Sequence, residues 1–439
     1  MRKIQLSSFI IVTLLVILLP LVALAETAGS VRYEARDFFE GQVGPVQHGE
    51  DLLTVSINGK YNLFENARVL IGPELQLSSA PHLVEGALPM SAVGQLRDTL
   101  LEFREDSVHF QVGSMIKAWE GPDGYNPMDI ATVKNFRDPF SPENMGSFGL
   151  ALSGGDGEFT WDALYIPYQT EVVFPGERSR WLPRHVNLAF ASQDARLLLP
   201  AQPQYSEGNH RELNSALRDN YGGRVQLHMS EWDFSAAYFE GAAQVPGIAP
   251  TINGEAVSVG PPIIVQAANP LMLQAVEYRR RTVAAGLVAS GVEGWIFRLA
   301  GRYDMPFGFN AAVPQQTTQF VGAAEKTITV FGRTVISSLG YAFGQKFQTQ
   351  SGDFTILDPF ASAWMFGLRW PLTETLTFLA YGLWSPATRS EYGNLHLEKK
   401  LGDHWSVNGG VQWMNGLSNS PMGIWADQNR VSAAATYLF

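Results

Sequence analysis

From residue 29 onward, apolar and polar residues alternate in one short run after another. Leu53, Val55, Ile57, Gly59 and Tyr61 interleave with Thr54, Ser56, Asn58 and Lys60. Trp405, Val407, Val411 and Trp413 interleave with Ser406, Asn408 and Gln412. Side chains of a strand point to opposite faces with period two, so each run predicts a strand with one apolar face. The other face carries Arg68, Glu74, Asp98, Glu102, Arg104, His109, Lys117, Arg224, His228, Arg298, Arg302, Arg369, His396 and Glu398. The connections alternate as well. Short turns are predicted at 65–66, 105–106, 154–157, 230–231, 291–293, 332–333, 371–374 and 402–403, with longer segments between them, notably 118–144, 167–221 and 241–269. Residues 271–289 read as one long strand with Arg279, Arg280 and Arg281 in its interior.

The last run sets Val431, Ala433, Ala435, Tyr437 and Phe439 against Arg430, Ser432, Ala434, Thr436 and Leu438. A tilted strand of about 9–11 residues crosses a bilayer, and this run has that length. It resembles the terminal strand of bacterial outer-membrane β-barrels, whose final aromatic is read by the insertion machinery. The resemblance implies an assembly signal at Tyr437 and Phe439; a soluble edge strand is the other reading of this segment taken alone. At the opposite end, Arg2 and Lys3 precede an uncharged run over 10–24 and the triplet Ala23-Leu24-Ala25. These are the parts of a secretory signal peptide, cleaved to leave Glu26 first.

Together the patterns predict an all-β fold: a transmembrane antiparallel β-barrel of about 16–18 strands. A cleaved signal peptide over 1–25 precedes it, and 26–439 forms a single domain. Connections alternate between short periplasmic turns and longer outer loops in such barrels, and the predicted connections follow that rule. The chain is expected in the outer membrane of a Gram-negative bacterium after Sec-type export, in contact with outer-membrane lipid. A soluble sandwich or propeller is the competing architecture, and no helical repeat or blade-length period is visible.

Composition narrows the reading. No later segment supplies the ~20 consecutive apolar residues of a membrane helix. There are 0 cysteines, so neither a disulfide framework nor a thiolate metal site exists. Charged residues make up 17% and aromatics 12%, a pairing that suits lipid-facing strands with interfacial girdles. The formal net charge of −11, or −13 without Arg2 and Lys3, offers no general affinity for nucleic acid.

Arg or Lys facing lipid at mid-membrane costs about 2–4 kcal/mol, so the charged face points inward, to an aqueous lumen or to a plug of salt bridges. A barrel of this size is too wide for wall side chains alone to fill. The obvious occupant is 118–144, with Trp119-Glu120-Gly121-Pro122-Asp123-Gly124-Tyr125-Asn126-Pro127-Met128-Asp129, then Phe136-Arg137-Asp138-Pro139. This resembles a W-G-x-x-D-x-x-N-P-x-D pattern in large, porin-like outer-membrane barrel proteins, with Glu120 standing where the pattern has glycine. The resemblance, with the geometry, leads to an expected constriction formed by Trp119, Glu120, Asp123, Asn126, Asp129, Arg137 and Asp138 against Arg224, Arg298, Arg302 and Arg369. In that expectation the loop carboxylates, Glu143 among them, meet the wall arginines, Arg68 included, across the lumen.

Asp123, Asn126 and Asp129 offer oxygens to Ca²⁺, but no glutamate closes a calcium-loop pattern, and turn capping explains them as well. No G-x-S-x-G, H-E-x-x-H or P-loop appears. The functional expectation is therefore a channel or transporter for small or hydrophobic solutes, without cofactor or catalysis. The alternative is a structural barrel that anchors or wraps a partner of an export or envelope complex; an outer-membrane lipid hydrolase is a third reading.

Overall fold

The structure, a computed structural model, describes residues 26–39, 49–78, 91–122, 124–175, 179–182, 195–198, 200, 204–207, 215–251, 253–258, 260, 263–307, 316–347, 362–417, 420 and 422–439. The segment read as a signal peptide, 1–25, lies outside them.

The alternating runs form the wall of a closed β-barrel. Its strands run in chain order from Glu26–Phe38 to Arg430–Leu438, each paired antiparallel with the next. The last strand pairs with the first from Ser30↔Leu438 to Phe38↔Arg430, which closes the ring. Two wall positions are composite. Ala67–Ile71 continues into Pro73–Ser78, and Ser91–Leu96 into Thr99–Glu105. With each composite counted once, the ring has eighteen strands, the upper end of the expected range.

The outward face is apolar yet exposed, as lipid contact requires. Leu150, Leu152, Phe297, Leu299, Phe320, Phe366 and Leu397 all lie on it. Aromatic pairs mark both rims: Trp405 with Tyr437 at one (centroids 4.9 Å apart) and Tyr341 with Trp364 at the other (5.0 Å). The short turns all fall at the first rim and the long connections at the second, where only 386–389 is comparably short. One turn is shifted: it occupies Phe331 and Gly332, and Arg333 already belongs to the next strand.

The sequence reading of 271–289 as one strand is corrected. Leu271–Val276 and Arg279–Val292 are separate, and only the second enters the wall. Between the pairs Ala242↔Arg279 and Gly247↔Val276, one strand carries four residues and the other two, so the ladder cannot continue. Beyond the break the hairpin resumes outside the wall. Leu271–Val276 joins Gly247–Thr251 and Tyr205–Glu207, and Ile263–Ala267 joins Gly254–Ser258 and Ala195–Leu198. The long segments 167–221 and 241–269 thus contain sheet of their own, and Arg218–His228 begins inside the first.

Candidate functional site

The segment between Val108–Met115 and Ser147–Gly155 folds inside the barrel. Its first half is a fixed irregular path, held by one side chain. Asn126 donates from Nδ2 to the Trp119 carbonyl (2.7 Å) and accepts at Oδ1 from the Met128 amide (2.9 Å). Gly121 permits this approach, because a Cβ there would fall 1.9 Å from Asn126 Oδ1. Its second half is a small hairpin, Val133–Asn135 against Glu143–Met145. Asp138 closes that hairpin by accepting from the Phe140 amide (3.0 Å).

Apolar loop residues pack on the small and apolar inner wall. Trp119, Met128, Ile130 and Ala131 share one buried cluster with Leu164, Ala237, Phe239, Ala284, Ala300 and Val321. Phe140 belongs to a second cluster. It stacks on Tyr392 (5.7 Å) and meets the edge of Trp425 (5.2 Å), close to Trp181 (5.7 Å). Trp181 and Trp425 come from two other long connections, and Trp425 Nε1 donates to the Trp181 carbonyl (2.9 Å).

Polar anchors fix the segment to facing walls. Arg280 donates to the Ile130 carbonyl (3.2 Å), and Gln244 to the carbonyls of Asp129 (2.6 Å) and Thr132 (2.9 Å). At the other end, Asp138 accepts from Arg36 (3.0 Å) and Arg430 (2.7 Å). Arg36 also holds Glu34 (2.7 Å) and Glu50 (3.3 Å). The strands of Arg280 and Arg36 are nine places apart in the ring of eighteen. The segment therefore crosses the lumen from wall to wall. Near its tip, Tyr125 hydrogen-bonds Gln319, and Gly124 adopts a left-handed φ of 85° directly against Tyr381.

The expected charge pairing across the lumen is not what forms. Arg68 pairs with Glu102, Arg224 with Asp162 (2.8 Å), Arg298 with Glu325 (2.6 Å) and Arg302 with Asp304 (2.9 Å). In each case the partner is an acid on the same or a neighbouring wall strand, and no loop carboxylate pairs with these arginines among the described residues. Arg369 is exposed near a short turn and has no ion-pair partner among the described residues. Asp129 pairs within the loop, with Lys134 (2.6 Å), and Glu143 meets Gln76. Burial raises the Glu143 carboxyl and lowers the Arg137 guanidinium from their ordinary values. Glu120 is exposed to the cavity beside the loop. The wall partners of Asp138, Arg36 and Arg430, stood in the sequence only as polar members of the first and last strands.

Two of the three residues considered for calcium lie among the described residues. Asn126 commits both amide atoms to the main chain, Asp129 binds Lys134, and Asp123 lies outside the described residues. Among the described residues no group of three or more His, Asp or Glu side chains could hold a metal. A hydroxyl–imidazole–carboxylate row does exist at the short-turn rim. Thr160 Oγ1 lies 3.4 Å from His228 Nε2, and His228 Nδ1 lies 2.9 Å from Asp233. These are neighbours across paired strands beside two short turns.

Among the described residues, two cavities flank the crossing segment. One, of ≈ 930 Å³, lies among Trp119, Glu120, Tyr125, Phe140, Tyr381 and Tyr392. The other, of ≈ 360 Å³, lies among Arg36, Glu50, Arg137, Asp138, His396 and Arg430. Asn394 and Pro142 border both.

No protein-family model matches the chain, and no curated protein matches it. Among solved structures it is similar to Wzi of Escherichia coli, an outer-membrane protein involved in group 1 capsule assembly and a carbohydrate-binding β-barrel. That likeness has a TM-score of 0.50 and 9% identity, over 95% of this chain and 85% of that one. It is similar also to two Pseudomonas aeruginosa proteins. OccK11 (OpdR) matches at TM-score 0.50 and 12% identity, over 94% of each chain. OccK9 (OpdG) matches at 0.50 and 9%, over 94% of this chain and 96% of that one. At such identities the likeness is one of fold.

Proposed function

We propose that this chain is an outer-membrane channel that passes small or hydrophobic solutes through a lumen narrowed by the inward-folded segment 118–144. The observation that carries the reading is the crossing of the lumen from Arg280 to Asp138, with a cavity left on each side. A loop fixed at both walls of a closed barrel divides the passage and sets its width, and pore width with its lining groups selects solutes. The fold shared with outer-membrane barrels supports the membrane setting. In this reading Trp119 anchors the constriction, Glu120 and Asp129 line it with Arg298 and Arg302, and Asp138 fastens it. The short turns then face the periplasm, and Phe439 with Tyr437 serves assembly.

The test is solute-dependent swelling of liposomes that contain the purified protein. Swelling that falls with solute size supports a channel. Protein that is folded and inserted, yet leaves the liposomes as tight as empty ones, would point to a scaffold instead.

A further inference from the structure

The larger cavity beside the crossing segment is unevenly furnished. Every cation on its lining is already paired with a carboxylate, although Arg302 Nε, 2.9 Å from Asp304, makes no hydrogen bond among the described residues. Arg298 holds Glu325, and Lys134 holds Asp129 and Asn144. Arg302 shares Asp304 with Arg280 and donates to Gln244. Asp129 Oδ1 and Asn394 Oδ1 are buried at this lining and take no hydrogen bond among the described residues, and the Tyr381 hydroxyl, which can donate as well as accept, makes none there either. Glu120 adds an exposed carboxylate with no ion-pair partner among the described residues. Unsatisfied buried acceptors favour any group that brings a donor, whereas an anion would compete with the carboxylates already paired to the lining cations. Phe140, Tyr392 and Tyr381 supply aromatic surface around the same space, in contact with one another at 5.7 and 5.9 Å. Such surface favours aromatic rings and cations.

We infer that this cavity is a binding site for an aromatic ring that carries hydrogen-bond donors and is cationic or uncharged, and that it discriminates against the corresponding carboxylate. The inference rests on the channel reading for its place in transport but not for its occupancy, which equilibrium binding measures directly.

The experiment uses three probes of like shape: tyramine, 4-hydroxybenzyl alcohol and 4-hydroxybenzoate. Their binding to the detergent-purified full chain is measured by titration calorimetry. Glucose, which has donors but no aromatic face, is the fourth. Tyramine and the alcohol are expected to bind on the order of tenfold more tightly than the benzoate and than glucose. Tyr381→Phe keeps the ring and removes the hydroxyl, and should weaken the alcohol about threefold. Asp129→Asn releases Lys134, and should raise benzoate affinity while lowering that of tyramine, a reversal that general loosening of the fold would not give. Equal or tighter binding of the benzoate by the wild-type chain overturns the inference, as does glucose matching the alcohol, or no binding of any probe. Binding in the expected order by a protein that conducts nothing would leave this site standing and refute the channel.

Discussion

Asp138 is the point at which the crossing segment can be released with one atom's change. Its carboxylate sits between Arg36 and Arg430 with all three side chains at most 10% exposed. In Asp138→Asn the amide oxygen can still accept from the Phe140 amide, so the local turn survives. Arg36 keeps Glu34 and Glu50. Arg430 keeps no ion pair among the described residues, and its other neighbours are the rings of Trp181 (5.1 Å) and Phe38 (5.8 Å). Stranding one member of a buried pair costs about 3–5 kcal/mol. At the lower end, with 1.4 kcal/mol per factor of ten, the undocked population rises about a hundredfold. Lys134 lies in the segment and becomes a trypsin site only when the segment leaves the lumen. Cleavage there tracks the open population when closing is fast. Tryptic cleavage after Lys134 should therefore accelerate about a hundredfold. Adding Arg430→Gln removes the stranded cation and should recover part of the loss. Cleavage within threefold of wild type, in Asp138→Asn that still migrates as a folded barrel, would refute the latch.

Further predictions concern the path of the loop, the rim and assembly. Gly121→Ala forces Asn126 from its two main-chain bonds; at about 1 kcal/mol each, cleavage after Lys134 should rise at least tenfold, as it should in Asn126→Ala. Glu277 lies just outside the wall, where burial, and then the Glu171 carboxylate, pushes its carboxyl up to about 7. The fold favours its protonated form, so its contribution is full below the ordinary carboxylate value and is lost as pH rises through about 7. Proteolysis of the outer sheet around Leu271–Val276 should be faster at pH 8 than at pH 5, relative to a denatured control, and Glu277→Gln should flatten the difference. Deleting Phe439, or replacing it with a charge, should sharply reduce heat-modifiable protein in the outer membrane; unchanged levels would remove the assembly role.

The wall was legible because each strand repeats a period-two pattern that depends on no distant partner. Leu53 to Tyr61 and Trp405 to Trp413 declare their faces locally. The inward course of 118–144 was legible from geometry, since a wide ring must be filled. Its partners were not. Whether Asp138 meets Arg298 or Arg36 depends on where the loop ends after crossing, and both arginines look alike as inward residues of a strand. The wall acids Asp162, Glu325 and Asp304 already stood beside Arg224, Arg298 and Arg302, so nearest neighbours took those cations first. The break at Glu277 and Tyr278 escaped notice because the alternation resumes on both sides of it. The contributions of Trp181 and Trp425 came from segments without periodicity, where only their aromatic size marked them as core.

Single-channel conductance in planar bilayers, before and after deletion of 121–135, tests the central claim most directly. The deletion removes the tip, the anchor to Arg280 and one strand of the small hairpin while leaving every wall strand intact. A segment that crosses the lumen and narrows it must, when removed, leave a wider passage, so conductance should increase, with weaker discrimination by solute size. An unchanged conductance, in a variant that folds and inserts as the wild type does, would contradict the account and place the constriction elsewhere.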